Sequence, residues 1–256
     1  MNQIMDNIFK VACDIGNSRI KICRSLDEID FIVINTKWKA NIIKFINKQN
    51  SDNIVLIYSS SNPSIEVEFI SLLSSFNIEI INAKNILEKQ SNIEYKHIKG
   101  IGIDRVLGLD YLSRYSKCPL VTIDCGTALT INVIDNDKKC LGGAILPGLY
   151  TQIKSLRSNT SSLPVIEKTI EFLSIGKNTE EAILVGTLNG LSGGVIKIIE
   201  EIELNVLKQK IDAIYITGAY ANEISMALQK WNFCVSLQSN LILKSLLHLL
   251  NLNQAN

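Results

Sequence analysis

The sequence holds only two histidines and four prolines in 256 residues. With His97 and His248 alone, a histidine-rich metal centre is excluded and a His-based triad has little to draw on. Four prolines and 14 glycines exclude collagen-like and linker-rich chains. The six cysteines, at positions 13, 23, 118, 125, 140 and 234, include no C-x2-C pair, so zinc and thioredoxin-type readings lose their main support. All six are read as small buried apolar residues of a cytoplasmic protein. Neither charge is in surplus: 26 Lys+Arg against 25 Asp+Glu give +1, so no global field draws the chain to nucleic acid or to an anionic membrane. No apolar run reaches the ~18 residues that span a bilayer. The start, MNQIMDNIFKVACDIGN, has no basic opening and no long apolar core, so a signal peptide is not expected. What is present is ordinary for a globular chain: 46% hydrophobic and 20% charged residues, enough for one large domain or two small ones.

The order of elements argues for two. Residues 8–15, 19–24 and 29–35 read as three successive strands with a tight turn at Gly16-Asn17. Trp38, Ile42, Ile43 and Ile46 are spaced for one face of a helix over 37–49. A strand at 53–58, a helix at 64–76 opened by Asn62-Pro63, and a strand at 78–81 follow. Residues 82–100 look polar and irregular, and a helix over about 104–115 closes this half. The pattern then restarts, with strands at 120–124, 130–134 and 139–146, and a helix from Pro147-Gly148 to about Arg157. A polar loop containing Leu163-Pro164 leads to a long helix over 179–203. A strand at 213–217, a helix at 220–230, a short strand at Val235 and a Leu-rich helix at 240–252 complete the chain.

The halves echo each other. Asp14 and Gly16 recur 110 residues later as Asp124 and Gly126, each pair between an apolar strand and a second strand. A repeat at half the chain length predicts duplicated domains, 1–117 and 118–256, facing each other across a cleft. Three strands before the first helix do not fit a Rossmann unit.

The turns have a logic for phosphate. A hairpin built on Gly16 points backbone N–H groups outward with no Cβ in the way. Asp14 can hold a hydrated Mg²⁺, and Lys21 on the returning strand can reach a terminal phosphate. Alone, this segment reads better as a plain hairpin whose Asp only fixes the turn. Its partner DCGTALT, 124–130, adds the Thr127 hydroxyl, and the joint occurrence favours a two-sided clamp. GIDR, 102–105, places Asp104 at a helix start, where the partial positive charge favours a carboxylate; an N-cap would account for it too. GGAILPG, 142–148, reads as a tight strand–helix junction.

Three patterns are set aside. Gly100-x-Gly102 lacks the third glycine of a dinucleotide loop and follows no strand. Gly190-Leu-Ser192-Gly-Gly194 matches G-x-S-x-G, but lies inside a helical run rather than on a strand-to-helix elbow. No Walker A loop occurs; Gly176-Lys177 is followed by Asn178. Gly186, Gly190 and Gly194, four apart, would line one face of the long helix and admit close helix packing.

Taken in order, DIGNSRIK, Tyr95, GIDR, DCGTALT, GGAILPG, Thr160 before Leu163-Pro164, IGKNTEEA and ITGA resemble type III pantothenate kinase, a branch of the actin-like superfamily of sugar kinases and heat-shock ATPases. The resemblance implies an α/β fold of duplicated actin-like (ribonuclease H-like) domains facing across a nucleotide cleft. It implies ATP-dependent phosphorylation of pantothenate, with Mg²⁺ and a monovalent cation, K⁺ or NH₄⁺, as cofactors. Asp14, Ile15, Gly16, Asn17, Ser18, Arg19, Ile20 and Lys21 then look like the ATP loop, with Asp14 touching Mg²⁺ through water and Thr127 a second phosphate contact. Asp124 looks like the monovalent-cation ligand. Tyr95, Gly102, Ile103, Asp104, Arg105 and Thr179 match the pantothenate site, with Asp104 as proton acceptor. The helix after Thr179 matches a homodimer interface, which suits the glycine stripe.

The chain departs from that pattern in three places. Ala219 stands where the family has a second glycine near the adenosine, and its methyl would crowd the nucleotide. Ser245 ends Leu241-Ile242-Leu243-Lys244-Ser245 where a glycine is usual, a second departure expected on the nucleotide half. Ser18 for Thr is mild. Two other readings share the fold: a non-enzymatic accessory factor for transcription and a sugar kinase. Neither nucleic acid nor membrane is an expected partner.

Overall fold

The computed structural model describes residues 8–49, 53–164, 166 and 174–254. The first seven residues, on which the signal-peptide expectation bears, and much of the polar loop after Leu163-Pro164 lie outside the described residues.

Each half builds the same sheet. Strands β1 (Phe9–Ile15), β2 (Arg19–Ser25) and β3 (Glu28–Val33) form an antiparallel meander. Strands β4 (Ile54–Ser60) and β5 (Ile78–Asn82) then add in parallel beside β1, giving the order β3-β2-β1-β4-β5. In the second half β6 (Leu120–Cys125), β7 (Ala128–Ile134) and β8 (Cys140–Pro147) form the meander. Strands β9 (Ala213–Thr217) and β10 (Ser236–Leu237) add in parallel beside β6, giving β8-β7-β6-β9-β10. Order and sense are identical, so the sequence echo is a duplicated fold.

The helices form where their apolar residues can cover a sheet. In α1 (Trp38–Lys48), Trp38, Ile42, Phe45 and Ile46 are buried in one core with Val11, Cys13 and Ile15 of β1. Helix α2 (Pro63–Leu73) has proline at its first position, where no N–H is needed, and Asn62 Oδ1 accepts from Ile65 N–H at 3.2 Å. Its Phe69 and Leu73 complete that core. The expected irregular stretch after β5 contains a helix instead, α3 (Ala83–Gln90). Asn82 caps it by accepting from Lys84 N–H at 2.9 Å, and Ala83, Ile86 and Leu87 are buried on one face. Helices α4 (Ile103–Leu112) and α5 (Leu149–Ser158) follow the expected positions.

Helix α6 (Thr179–Glu201) ends in a π-helical turn, Ile202–Leu207. The whole run, Thr179–Leu207, is long and apolar enough to cross a membrane by composition. Its Ile183, Leu184, Leu188, Leu191, Val195 and Ile199 instead fill the core on Val121, Ile123, Leu129 and Ile131 of the second sheet. Helix α7 (Ala221–Gln229) joins this core through Ile224 and Leu228.

The chain forms two compact units, and the division is not the single cut expected at 117/118. Unit 1 gathers Met1–Asn92, Gly100–Tyr111 and Asn240–Asn256; unit 2 gathers Ile93–Lys99 and Leu112–Ser239. The C-terminal helix α8 (Leu241–Gln254) crosses back to pack on β1 and β4, and Lys10 Nζ donates to Asn251 Oδ1 at 2.8 Å. Covering the second face of a five-stranded sheet takes an apolar helix, and Leu243, Leu246 and Leu250 of α8 provide it. Ser245 therefore belongs to unit 1, not to the nucleotide half; it is buried and its Oγ donates to Leu241 O at 2.8 Å. All six cysteines are free, but only Cys13, Cys23, Cys125 and Cys140 are buried; Cys118 is half-buried and Cys234 exposed.

Candidate active site

In unit 1 the β1–β2 register sets Asp14 opposite Lys21, and Gly16 N–H donates to Arg19 O at 3.1 Å to close the turn. Asn17 and Ser18 at the tip are exposed, while Ile15 and Ile20 are buried beneath it. Lys21 Nζ lies 3.8 Å from Asp14 Oδ2. Parallel pairing with β4 brings Ser59 beside Asp14, and Ser59 Oγ donates to Asp14 Oδ1 at 3.2 Å. Burial pushes the Asp14 carboxyl above the ordinary carboxylate range; Lys21 and the Ser59 hydroxyl oppose the rise, and the charge of Asp104 adds to it. A partly dehydrated carboxylate among hydroxyls is a hard oxygen donor set, which fits Mg²⁺ carried on phosphates. Among the described residues no cluster of three or more His, Cys, Asp or Glu could cage an ion alone. Ser59 was missed in the sequence, although Ser59-Ser60-Ser61 at the end of a buried strand was the available signal.

Asp104 lies in the first turn of α4, half-buried, in the same unit. Its Oδ1 accepts from Arg105 N–H at 2.9 Å. A Cβ on Gly102 would stand 2.5 Å from that oxygen, so the glycine leaves room for the carboxylate in this rotamer. Ile103 and Arg105 flank it, also half-buried.

Unit 2 repeats the first turn one residue shorter. Gly126 N–H donates to Ala128 O at 3.1 Å, and Asp124 pairs in register with Thr130. Thr130 thus stands where unit 1 has Lys21, so the lysine belongs to one turn only. The second turn is braced from behind. Thr127 O accepts from Gly148 N–H at 2.9 Å and from Thr151 Oγ1 at 2.6 Å. A Cβ on Gly148 would run into the backbone oxygens of Gly126 and Thr127. This explains the glycine at the end of GGAILPG, whose role the sequence left as a plain junction. Thr127 itself is exposed, and Asp124 half-buried. Gly218, at φ +103°, backs on to Asp124; Cys125 O beside it accepts from Tyr220 N–H at 3.1 Å. Burial pushes the Cys125 thiol up, and the charges of Asp124 and Glu223 add to that rise. Glu223 Oε2 is buried without a hydrogen-bond partner among the described residues. A carboxylate oxygen in that state, on a residue whose charge acts on Cys125 together with that of Asp124, is a donor that fits a monovalent cation. Ala219 is exposed.

The remaining candidates lie in unit 2. Tyr95 is buried in the 93–99 segment. Thr179 is the exposed first residue of α6. It is held there by reciprocal capping: Asn178 Oδ1 accepts from Glu181 N–H at 3.0 Å, and Glu181 Oε2 accepts from Lys177 N–H at 2.7 Å. Ser192 is buried mid-helix, which removes the nucleophile-elbow reading. The glycine stripe divides. A Cβ at Gly194 would touch Leu146 at 3.7 Å inside the unit, whereas Gly186 and Gly190 are exposed and face open space. A cavity of about 630 Å³ in unit 1 lies elsewhere, around Lys10, Arg24, Asp30 and Lys48, and contains none of the candidate residues.

The type III pantothenate kinase family profile matches residues 10–201. A type III pantothenate kinase of Sulfurihydrogenibium sp. (strain YO3AOP1) is 31% identical over 85% of this chain and 91% of its own length. One from Petrotoga mobilis is 30% identical over 81% of each. Among solved structures, a Campylobacter jejuni protein assigned to the Baf family of transcriptional activators aligns with TM-score 0.63 at 19% identity, covering 96% of this chain and all of that one. A Sinorhizobium meliloti protein described as a 2-dehydro-3-deoxygalactonokinase aligns with TM-score 0.60 at 11% identity, covering 95% and 96%. At such identities these two show the fold alone, and it is the actin-like α/β fold expected from the sequence. The profile spans Asp14, Asp104, Asp124 and Thr179 in one match, and the relatives agree along most of their length: the chain belongs to the type III pantothenate kinase family.

Proposed function

We propose that this chain transfers the γ-phosphoryl group of ATP to the hydroxyl of pantothenate, giving ADP and 4′-phosphopantothenate, the first step of coenzyme A synthesis. The observation that carries the reading is the family match across both turns and the Asp104 loop. Phosphoryl transfer needs positioning and charge neutralisation more than covalent help. Asp104 accepts the hydroxyl proton as the new O–P bond forms and the bond to ADP breaks. Arg105 N–H and the space left by Gly102 keep its carboxylate in one rotamer. The Gly16 and Gly126 turns offer backbone donors to phosphate oxygens, Lys21 adds a charge, and Thr127 a hydroxyl. Tyr95 and Thr179 bind pantothenate.

Asp14 would hold Mg²⁺ through water, and Asp124 with Glu223 a K⁺ or NH₄⁺ ion; such ions neutralise phosphate charge. A coupled ADP-release assay with pantothenate, ATP, Mg²⁺ and K⁺ tests the reading, with hexoses as alternative acceptors. Turnover on a hexose and none on pantothenate would point to a sugar kinase; no turnover at all, to a non-catalytic factor. Exchange of K⁺ for Na⁺ should depress the rate, and Asp124→Ala should abolish that difference. A wild type indifferent to K⁺ would remove the cation role.

The chain also works as a cytoplasmic homodimer in this reading, without nucleic acid or membrane. What supports the dimer is the open space at Gly186 and Gly190, since interior helix glycine costs about 1 kcal/mol relative to Ala and needs a reason. Two copies of α6 could approach closely along that face. Light scattering should give a dimer, and Gly190→Leu should give monomers that use pantothenate poorly. A variant that stays dimeric and active would move the interface elsewhere.

A further inference from the structure

The segment carrying Tyr95 has no helix or strand of its own to hold its shape. It is tied to the chain entering the edge strand β8 by a parallel bridge between Glu94 and Lys139, the residue before that strand. Glu94 N–H donates to Lys138 O at 3.0 Å, and Cys140 N–H to Glu94 O at 2.8 Å. Beyond that bridge Ile98 N–H donates back to Tyr95 O at 2.9 Å, closing a turn over residues 95–98. Gly100, at φ +70°, follows and offers the chain an easy pivot. These backbone bonds fix the entrance of the turn and its internal closure, and Ile93 and Tyr95 are buried in the core.

A side chain adds a further attachment, beyond the bridge. His97 Nε2 lies 2.7 Å from Cys140 O. A carbonyl oxygen can only accept, so Nε2 carries a proton and donates. On the other side of the ring Nδ1 lies 3.5 Å from Glu94 Oε1. Residue Cys140 is therefore held at both its peptide groups, its N–H by Glu94 O and its C=O by the ring of His97, with Tyr95 between the two attachments in sequence.

We propose that His97 is a positioning residue for the acceptor substrate: by locking the 95–98 turn on to β8 it presents Tyr95 already ordered for pantothenate. The proposal rests on the substrate role of Tyr95 given above. Without the His97 bond the turn stays connected but can swing, and its ordering must be completed when pantothenate binds. The cost falls on pantothenate binding and leaves ATP binding and the chemical step untouched.

The test is steady-state kinetics of the full chain with each substrate varied in turn. His97→Leu should raise the KM for pantothenate by about fivefold to tenfold, the effect of one lost hydrogen bond. Its kcat and its KM for ATP should stay within about twofold of wild type. His97→Gln keeps an N–H that can reach Cys140 O and should recover most of the loss. Amide exchange of Ile98, which reports the turn directly, should speed up in His97→Leu and not in His97→Gln, and this reading needs only a folded protein. Unchanged pantothenate KM in His97→Leu, or an equal rise in both KM values, overturns the proposal. So does an Ile98 amide that exchanges at the wild-type rate. Tyr95→Ala separates the two layers. If it leaves pantothenate KM unchanged, the role of Tyr95 itself fails. If it raises KM while His97→Leu does not, only the positioning role fails.

Discussion

Asp104→Asn is expected to lower kcat by at least ~10²-fold while leaving the melting temperature nearly unchanged. The substitution keeps size and the capacity to accept from Arg105 N–H, a bond of 2.9 Å, but removes the basic oxygen. The carboxylate sits in the first turn of α4, held by a backbone donor and opposed by no side chain at Gly102, so its geometry survives the change. Loss of one negative charge near Asp14 also relieves part of the repulsion that raises the Asp14 carboxyl, which argues against unfolding. Because the proton is transferred only as the acceptor attacks, the loss should appear in kcat and in kcat/KM for both substrates together. A variant with wild-type turnover would take the base away from Asp104 and leave α4 a purely binding element.

Much of this arrangement was legible in the sequence because its signals are local. An apolar run ending in Asp-x-Gly dictates a buried strand and a turn, and two such runs 110 residues apart dictate the duplication. The register that sets Asp14 against Lys21 follows from the turn length alone. What stayed hidden depends on contacts distant in sequence. Helix α3 was passed over because its charged residues dominate a short stretch, although Asn82 as a cap and the spacing of Ala83, Ile86 and Leu87 were both present. The return of α8 to β1 could not be read, since an apolar helix face does not say which sheet it covers. Ser59 reaches Asp14 only through the parallel pairing of β4, and the clasp of Gly148 and Thr151 on Thr127 only through the end of β8. The glycine stripe was visible as a pattern. That Gly194 serves the unit's own packing while Gly186 and Gly190 do not required coordinates.

The same distinction sets the largest expected effect in unit 2. Gly218→Ala should lower kcat/KM for ATP by about 10²-fold and the melting temperature by roughly 4–10 °C, from local strain of about 1–3 kcal/mol. Two independent costs meet there. The backbone sits at φ +103°, a region that L side chains rarely adopt. The added Cβ would also lie 2.6 Å from Asp124 Oδ1 and 2.6 Å from the backbone C and N of Cys125. The carboxylate can rotate away, but the Cys125 peptide cannot without displacing the end of β6 and the Gly126 turn that follows it. The K⁺ response assigned to Asp124 should therefore fall together with ATP use. The neighbouring change makes the contrast: Ala219 is exposed, so Ala219→Gly should leave the melting temperature almost unmoved. If its methyl crowds the nucleotide, that variant should bind ATP more tightly. Wild-type stability and ATP use in Gly218→Ala would mean that the β9–α7 junction yields to a methyl, and that Asp124 is not held in place by it.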